Sequence, residues 1–199
     1  MRVEKYLFAL MAGLVMLFSA CQDDDSFTVS PQYTLSFSSD TIKLDTVFSR
    51  IPTATKTIWV YNRSGDGIRC SNIRLENGNQ TGFRVNVDGI FLGASTGFQT
   101  SGVEIPNKDS IRVFVELTSP NNMNETPTKL EDNLVFTLES GVQQKVNINA
   151  YTWDATILDS LHVKSDTTIS STKPIVIRGG IRVDSAATLT VTAGTTLYF

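Results

Sequence analysis

Few side chains in this 199-residue sequence carry the chemistry that catalysis needs. It contains one histidine, His162, and two cysteines, Cys21 and Cys70. Zinc sites draw on clustered His and Cys, and a nucleophile is activated by an adjacent base held by a third group. This inventory supplies neither. His162, in Leu161-His162-Val163, has no second histidine and no obvious orienting partner, so it reads as a strand-surface residue. Glycoside hydrolysis needs two carboxylates flanking one bond, but Asp88, Glu104 and Glu116 are scattered, Asp88 in a turn and Glu116 on an outward strand face. No catalytic residue, metal or cofactor is expected. The aromatic residues offer a different chemistry. Trp59, Tyr61, Phe114 and Trp153 would stack on sugar rings from an outer sheet face, or else pack against the following segment or an edge loop.

The charge balance narrows the partners further. Lys plus Arg number 17 against 20 Asp plus Glu, a net charge of -3, and no cluster of basic residues stands out to track a phosphate backbone. Nucleic acid is not an expected partner. With 41% hydrophobic and 19% charged residues, the chain has apolar material for one sandwich-sized domain and an extra piece, and is too short for a large α/β enzyme.

The elements that must position these residues are strands. From Tyr33 to Tyr151 apolar residues alternate with period two and never settle into a helical period. Phe83, Val85 and Val87 oppose Arg84, Asn86 and Asp88; Ile111, Val113, Val115 and Leu117 oppose Arg112 and Glu116. Leu134, Phe136 and Leu138 repeat the pattern, as do Val146, Ile148 and Ala150. Turn residues separate the runs at Asn62–Gly67, Glu76–Asn79, Ser119–Asn122 and Ser140-Gly141. Seven to nine strands over roughly 120 residues indicate a β-sandwich. Between Cys70 and Ile73 the parity slips by one residue, which predicts a bulge or bend. Cys70 itself alternates with Arg69 and reads as a small buried hydrophobe.

Within this region Asp45-Thr46-Val47-Phe48, Thr57-Ile58-Trp59-Val60-Tyr61-Asn62, the run Gly82 to Gly89 and the run Asp109 to Glu116 together resemble an immunoglobulin-like module of the Hydin-related kind found in bacterial surface proteins. The resemblance implies a spacer or interaction platform at residues 32–152, without the tryptophan-disulfide signature of antibody domains. Residues 153–199 change character. Ile181/Val183, Leu189/Val191 and Leu197/Phe199 recur eight residues apart, a short period that suits the rungs of a parallel β-helix. Val183 to Thr195 resembles the opening coil of bacterial right-handed β-helix proteins; the alternative is a pair of β-hairpins capping the sandwich. No charged or turn residue closes the strand at Leu197-Tyr198-Phe199, so the natural product is expected to continue into further coils or to have this edge covered by a partner strand.

The amino terminus carries an address. Arg2 and Lys5 precede the twelve apolar residues Leu7 to Phe18, a stretch too short to span a bilayer and suited to a secretory leader. Leu17-Phe18-Ser19-Ala20-Cys21 resembles a bacterial lipobox, from which Phe18 departs. The resemblance implies removal of residues 1–20 and modification of Cys21 with a diacylglyceryl group and an amine-linked acyl chain such as palmitate. At about 0.8 kcal/mol per buried methylene, several acyl chains anchor stably where one does not. Asp23, Asp24 and Asp25 repel one another and stay solvated, so residues 21–31 are expected to form a flexible acidic tether. An acidic run at this position also resembles the signal that carries Bacteroidota-type lipoproteins to the outer face of the outer membrane.

One tripeptide takes its meaning from that compartment. Asp followed by Thr or Ser places Thr41, Thr46, Ser110, Ser160 and Ser185 in a context resembling the O-glycosylation acceptor of Bacteroidota-type envelope proteins; equally, Asp and Ser or Thr begin strands after polar turns. The sequence as a whole leads to an all-β, surface-exposed envelope protein anchored in the outer membrane by lipid. It would act as a non-catalytic spacer, adhesion or glycan-contact module, with glycans or other envelope proteins as partners. The alternative is the amino-terminal part of a carbohydrate-active β-helix enzyme whose catalytic rungs lie beyond this chain.

Overall fold

A computed structural model describes residues 26–199. Cys21 and Asp23 to Asp25 lie outside the described residues. In chain order the first eleven strands are β1 (Ser36–Phe37), β2 (Thr41–Phe48), β3 (Lys56–Tyr61), β4 (Ile68–Leu75), β5 (Phe83–Val87), β6 (Ile90–Phe91), β7 (Gln99–Thr100), β8 (Val103–Ile105), β9 (Ser110–Leu117), β10 (Thr128–Leu138) and β11 (Gln143–Trp153). They form two sheets, ordered β1-β3-β9-β5-β6 and β2-β11-β10-β4-β7, with β8 also on β4. The entering chain divides between them: β1 runs antiparallel to β3, then β2 crosses over to lie parallel to β11. With β1 and β2 taken as one split strand, the sheets contain strands A-B-E-D and C-F-G of the immunoglobulin arrangement. The sandwich is immunoglobulin-like by its strand order.

Alternation sorts the side chains as the sequence indicates. Phe83, Val85 and Val87 are buried while Arg84 is exposed, and Ile111, Val113, Val115 and Leu117 meet them from the neighbouring strand. Phe136, Ile73, Ile105, Leu134 and Ile148 complete the centre of the core. Truncating any of these to alanine costs about 2–5 kcal/mol, from lost transfer energy and the cavity left behind. The parity slip near Cys70 is a bulge: Asn72 pairs with Thr137 but Cys70 with Leu138, so Ser71 is the extra residue. That single insertion turns Ile68, Cys70, Ile73 and Leu75 all inward. A second irregularity sets Lys43 opposite Asn149 but Thr46 opposite Tyr151, and Asp45 inside it has φ 59°.

Residues 26–31, assigned from the sequence to the flexible tether, are in contact with the sandwich. Residues from Ser26 onward rest on the sandwich: Gly67 N–H donates to the Ser26 carbonyl at 2.8 Å, Thr28 N–H donates to the Gly67 carbonyl at 2.9 Å, and the Arg69 guanidinium lies 4.8 Å from the Phe27 ring centre. A Cβ at position 67 would stand 2.6 Å from the Ser26 carbonyl oxygen, so glycine is what allows this close approach.

Seven short strands follow: β12 (Thr156–Leu158), β13 (Leu161–Val163), β14 (Thr167–Ile169), β15 (Ile175–Ile177), β16 (Ile181–Val183), β17 (Leu189–Val191) and β18 (Leu197–Tyr198). All their pairings are parallel, in three small sheets β12-β15-β18, β13-β16 and β14-β17. Parallel pairing replaces the hairpin alternative, because a tight turn joins only antiparallel strands. The partners lie far apart in sequence: Thr156 pairs with Ile175 and Ile175 with Leu197, offsets of 19 and 22 residues. The eight-residue recurrence therefore marks successive sides of one turn of chain, on β16, β17 and β18, and the stacking repeat is longer. Val163, Ile175 and Ile177 are buried, whereas Val183 and Val191 are 43% and 41% exposed.

The two regions meet at a buried carboxylate. Asp154, 7% exposed, accepts hydrogen bonds from the Ser49 hydroxyl at 2.6 Å, Asn122 N–H at 3.0 Å and Met123 N–H at 2.8 Å, with Lys173 Nζ 3.9 Å away. Beside it the Phe48 ring packs edge-on to Tyr198 at 4.8 Å, and Trp153 Nε1 donates to the Glu125 carbonyl.

Candidate functional site

The outer face of the β1-β3-β9-β5-β6 sheet gathers three of the four aromatic residues singled out from the sequence, Trp59, Tyr61 and Phe114, while Trp153 lies on β11 of the other sheet, packed near Phe48. Because Ile58, Val60, Ile111, Val113 and Val115 take the core side, their neighbours Thr57, Trp59, Tyr61, Ser110, Arg112, Phe114 and Glu116 are sent outward. Register then fixes who meets whom: Trp59 is opposite Arg112, Thr57 opposite Phe114, and Phe114 opposite Asn86 on the far side. Trp59 and Tyr61 stack with ring centres 6.4 Å apart and planes inclined by 14°. Arg112 lies 5.3 Å from the Trp59 ring centre and 5.9 Å from that of Phe114. Arg63 covers Tyr61 at 4.7 Å, and Arg84 sits 5.7 Å from Phe91. The result is a ladder of rings and guanidinium groups, open to solvent at Trp59 (39% exposed) and Phe91 (47%). A shallow depression of about 160 Å³ between Arg84, Asn86, Phe91, Phe114 and Glu116 continues it.

What this face lacks is a carboxylate for each of its arginines. Arg63, Arg84 and Arg112 are exposed, and none donates a side-chain hydrogen bond or forms an ion pair among the described residues. Arg69 on the other sheet is the contrast: Glu104 and Glu139 hold it at 2.7 and 3.1 Å and raise its already high pKa. Glu116 is the only carboxylate among the outward residues of β3, β5 and β9, and it accepts from the Thr55 hydroxyl. Asn86 Oδ1 is taken by Gly89 N–H at 2.9 Å. Sequence reading found the rings and missed Arg63, Arg84, Arg112 and Phe91. The available signal was parity, since Arg112 stands two residues before Phe114 and shares its face.

The other candidates disperse. Glu104 is paired with Arg69, Asp88 occupies the β5–β6 turn with φ 49°, and Glu116 stays on the outer face, so these three carboxylates do not converge. His162 does have an orienting partner after all: its Nε2 is 2.9 Å from Asp184 Oδ1, with Arg182 Nε 3.6 Å from the same oxygen. Both partners are 38% exposed at their side chains. The pair joins two stacked turns of chain across 22 residues, a distance invisible without the coil repeat. Among the described residues no three His, Cys, Asp or Glu side chains assemble a metal-binding group, and no helix is long and apolar enough to cross a membrane. Thr46, Ser160 and Ser185 are exposed, and Thr41 and Ser110 half-buried. They are spread over both regions. Ser110 N–H donates to Asp109 Oδ1 and Asp45 fills the β2 irregularity, so at those two places the Asp of the tripeptide has a backbone role.

No family profile matches the chain, and no curated protein is similar to it in sequence. The solved structures similar to the chain are so at low identity and low TM-score. A protein of unknown function from Porphyromonas gingivalis W83 is 14% identical with a TM-score of 0.40, over 67% of this chain and 59% of that one. A family 123 glycoside hydrolase from Clostridium perfringens is 8% identical with a TM-score of 0.40, over 67% of this chain and 30% of that one. The seventh PapD-like domain of human CEP192 is 8% identical with a TM-score of 0.36, over 63% and 89%. The chain thus spans less than two thirds of the first two. The immunoglobulin-like assignment rests on the strand order described above.

Proposed function

We propose that this chain is a lipid-anchored bacterial envelope protein, held in the outer membrane through Cys21 and facing the cell exterior. Its sandwich, of the Hydin-related kind, acts as a non-catalytic glycan-contact module, and the stacked turns after Asp154 begin a right-handed parallel β-helix. The open ring-and-guanidinium face around Trp59 supports the glycan reading above that of a bare spacer, because a spacer has no use for solvent-exposed stacked aromatics. The leader, Cys21 and the acidic run Asp23-Asp24-Asp25 support the location. A second reading, the amino-terminal part of a carbohydrate-active β-helix enzyme, draws its support from the parallel pairings of β12 to β18.

Both halves of the proposal are open to direct test. Cys21→Ala is expected to move the protein from the detergent phase to the aqueous phase while its thermal unfolding stays unchanged; retention in the detergent phase refutes the anchor. Trp59→Ala is expected to reduce retention on immobilised polysaccharides without loss of fold. If the parent chain is retained on no polysaccharide, the glycan reading fails.

A further inference from the structure

We propose that the ligand of the outer sheet face is an acidic saccharide, with sugar carboxylates received by Arg63, Arg84 and Arg112; this rests on the glycan-contact reading and names its substrate class. The inference comes from a donor and acceptor count. A neutral sugar presents hydroxyls that both give and accept hydrogen bonds, so a face suited to it offers carboxylates and amide oxygens as well as donors. Here carboxylate and amide acceptors are few: Glu116, opposite Arg84, takes the Thr55 hydroxyl on Oε1 and keeps Oε2 open, Asn86 Oδ1 holds Gly89 N–H, and Ser38 Oγ accepts the Trp59 backbone N–H at 2.9 Å. The donors are many and free. Three guanidinium groups, each with five N–H donors and no acceptor of its own, stand on one face of a chain whose net charge is -3. The ligand must bring the acceptors.

Stacking makes these arginines suitable hosts. A guanidinium laid over a ring is held as a plane, which leaves its N–H edge free for the two parallel bonds that a carboxylate accepts. Less side-chain freedom is then lost on binding. Arg112, 5.3 Å from the Trp59 ring centre and 5.9 Å from that of Phe114, and Arg63, 4.7 Å from that of Tyr61, have such ring neighbours before any ligand arrives. The exposed part of Trp59, backed by the nearly parallel Tyr61, supplies apolar surface for a ring of the same saccharide. A single-stranded nucleic acid also combines rings with negative charge, but the leader directs this chain out of the cytoplasm, so the saccharide is the occupant.

The test uses the full mature chain and four acidic polymers: polygalacturonate, alginate, hyaluronate and polysialic acid, each beside a counterpart whose carboxylates are esterified or reduced. At least one acidic polymer is expected to be retained, with esterification, Arg112→Ala or Arg84→Ala each weakening it roughly tenfold or more and added salt weakening it further. Arg112→Lys, which keeps the charge but loses the planar fork, is expected to recover some of the loss, and Arg69→Ala to change nothing. Thermal unfolding confirms that each variant is folded. Equal retention of acidic and neutral polymers, or full retention by both arginine-to-alanine variants, overturns the acidic assignment while the glycan reading stands. Retention of no polymer overturns both, and tighter capture of a single-stranded oligonucleotide overturns the saccharide as occupant.

Discussion

Asp154 ties the sandwich to the stacked turns, and replacing it tests how much of the molecule hangs on one carboxylate. Asp154→Asn keeps the shape but removes the charge and turns one acceptor oxygen into a donor that faces either the Ser49 hydroxyl and Asn122 amide or the Met123 amide and Lys173 ammonium. Hydrogen bonds to a charged group contribute about 1.5–3 kcal/mol each, and an unmet buried donor costs about 1–3 kcal/mol. Met123 is exposed, so water can recover its share. The expected loss is about 2 kcal/mol at neutral pH, or ~4–8 °C in Tm for a chain of this size. The loss depends on pH. Burial on its own pushes the Asp154 carboxyl up, but the Ser49 hydroxyl, the Asn122 and Met123 amides and the Lys173 ammonium outweigh it and hold the folded-state value below the ordinary one. Stability from this group is therefore full above the unfolded carboxylate value, ~3.9, and is lost as the pH falls through the lower folded value. Thermal unfolding of both proteins from pH 7 down to pH 2 should show curves that converge at the acid end. Hydrogen exchange should place the neutral-pH difference in β12 to β18 and in residues 119–124. Equal unfolding at pH 7, or a gap that stays constant into acid, refutes the reasoning.

Two other expectations follow from packing. Gly67→Ala forces a methyl group against the Ser26 carbonyl and the Phe27 ring, so residues 26–31 should exchange amide hydrogens faster and be cleaved sooner by protease; an unchanged pattern means that this segment is held by something else. The Cys70 thiol is fully buried and pushed up to about 12 by that burial, so it should resist alkylation at pH 8 in the folded protein and react once denaturant is added, whereas prompt labelling without denaturant counts against the packing described.

The legible features of this fold are those that a period of two can encode. Alternation separates Phe83, Val85 and Val87 from Arg84, and the slip at Cys70 announces the bulge at Ser71, because both are local consequences of strand geometry. Strand order is not local: the transfer of the entering chain from β3's edge to β11's edge leaves no periodic trace. The offset of the parallel pairing is hidden for the same reason, since the partners of Ile175 lie 19 and 22 residues away while the visible recurrence is eight. At the candidate site, rings on an outward parity are conspicuous and arginines are not, because a charged residue on an outward face ordinarily means solvation. It takes the structure to see that Arg63, Arg84 and Arg112 lack carboxylate partners while Arg69 has two. Asp154 is hidden too, being a lone acidic residue after Trp153 whose partners come from loops near 49 and 122.

The split between β1 and β2 has a mechanical meaning. Any pull applied between the two ends of the chain reaches β2 at Thr41 and β11 at Trp153. In their parallel register Thr41 lies beside Asn147 and Phe48 beside Trp153, so the two points of pull sit at opposite ends of the pair. Force along that line slides the strands past each other, straining their backbone bonds together, where a hairpin pulled from its open end would unzip bond by bond. The Phe27 bridge, the two bonds between Leu35 and the Gln144 side chain, and the pairing of β1 with β3 stand between the amino-terminal segment and that sheared seam. The sandwich is therefore strongest against a pull between its two ends.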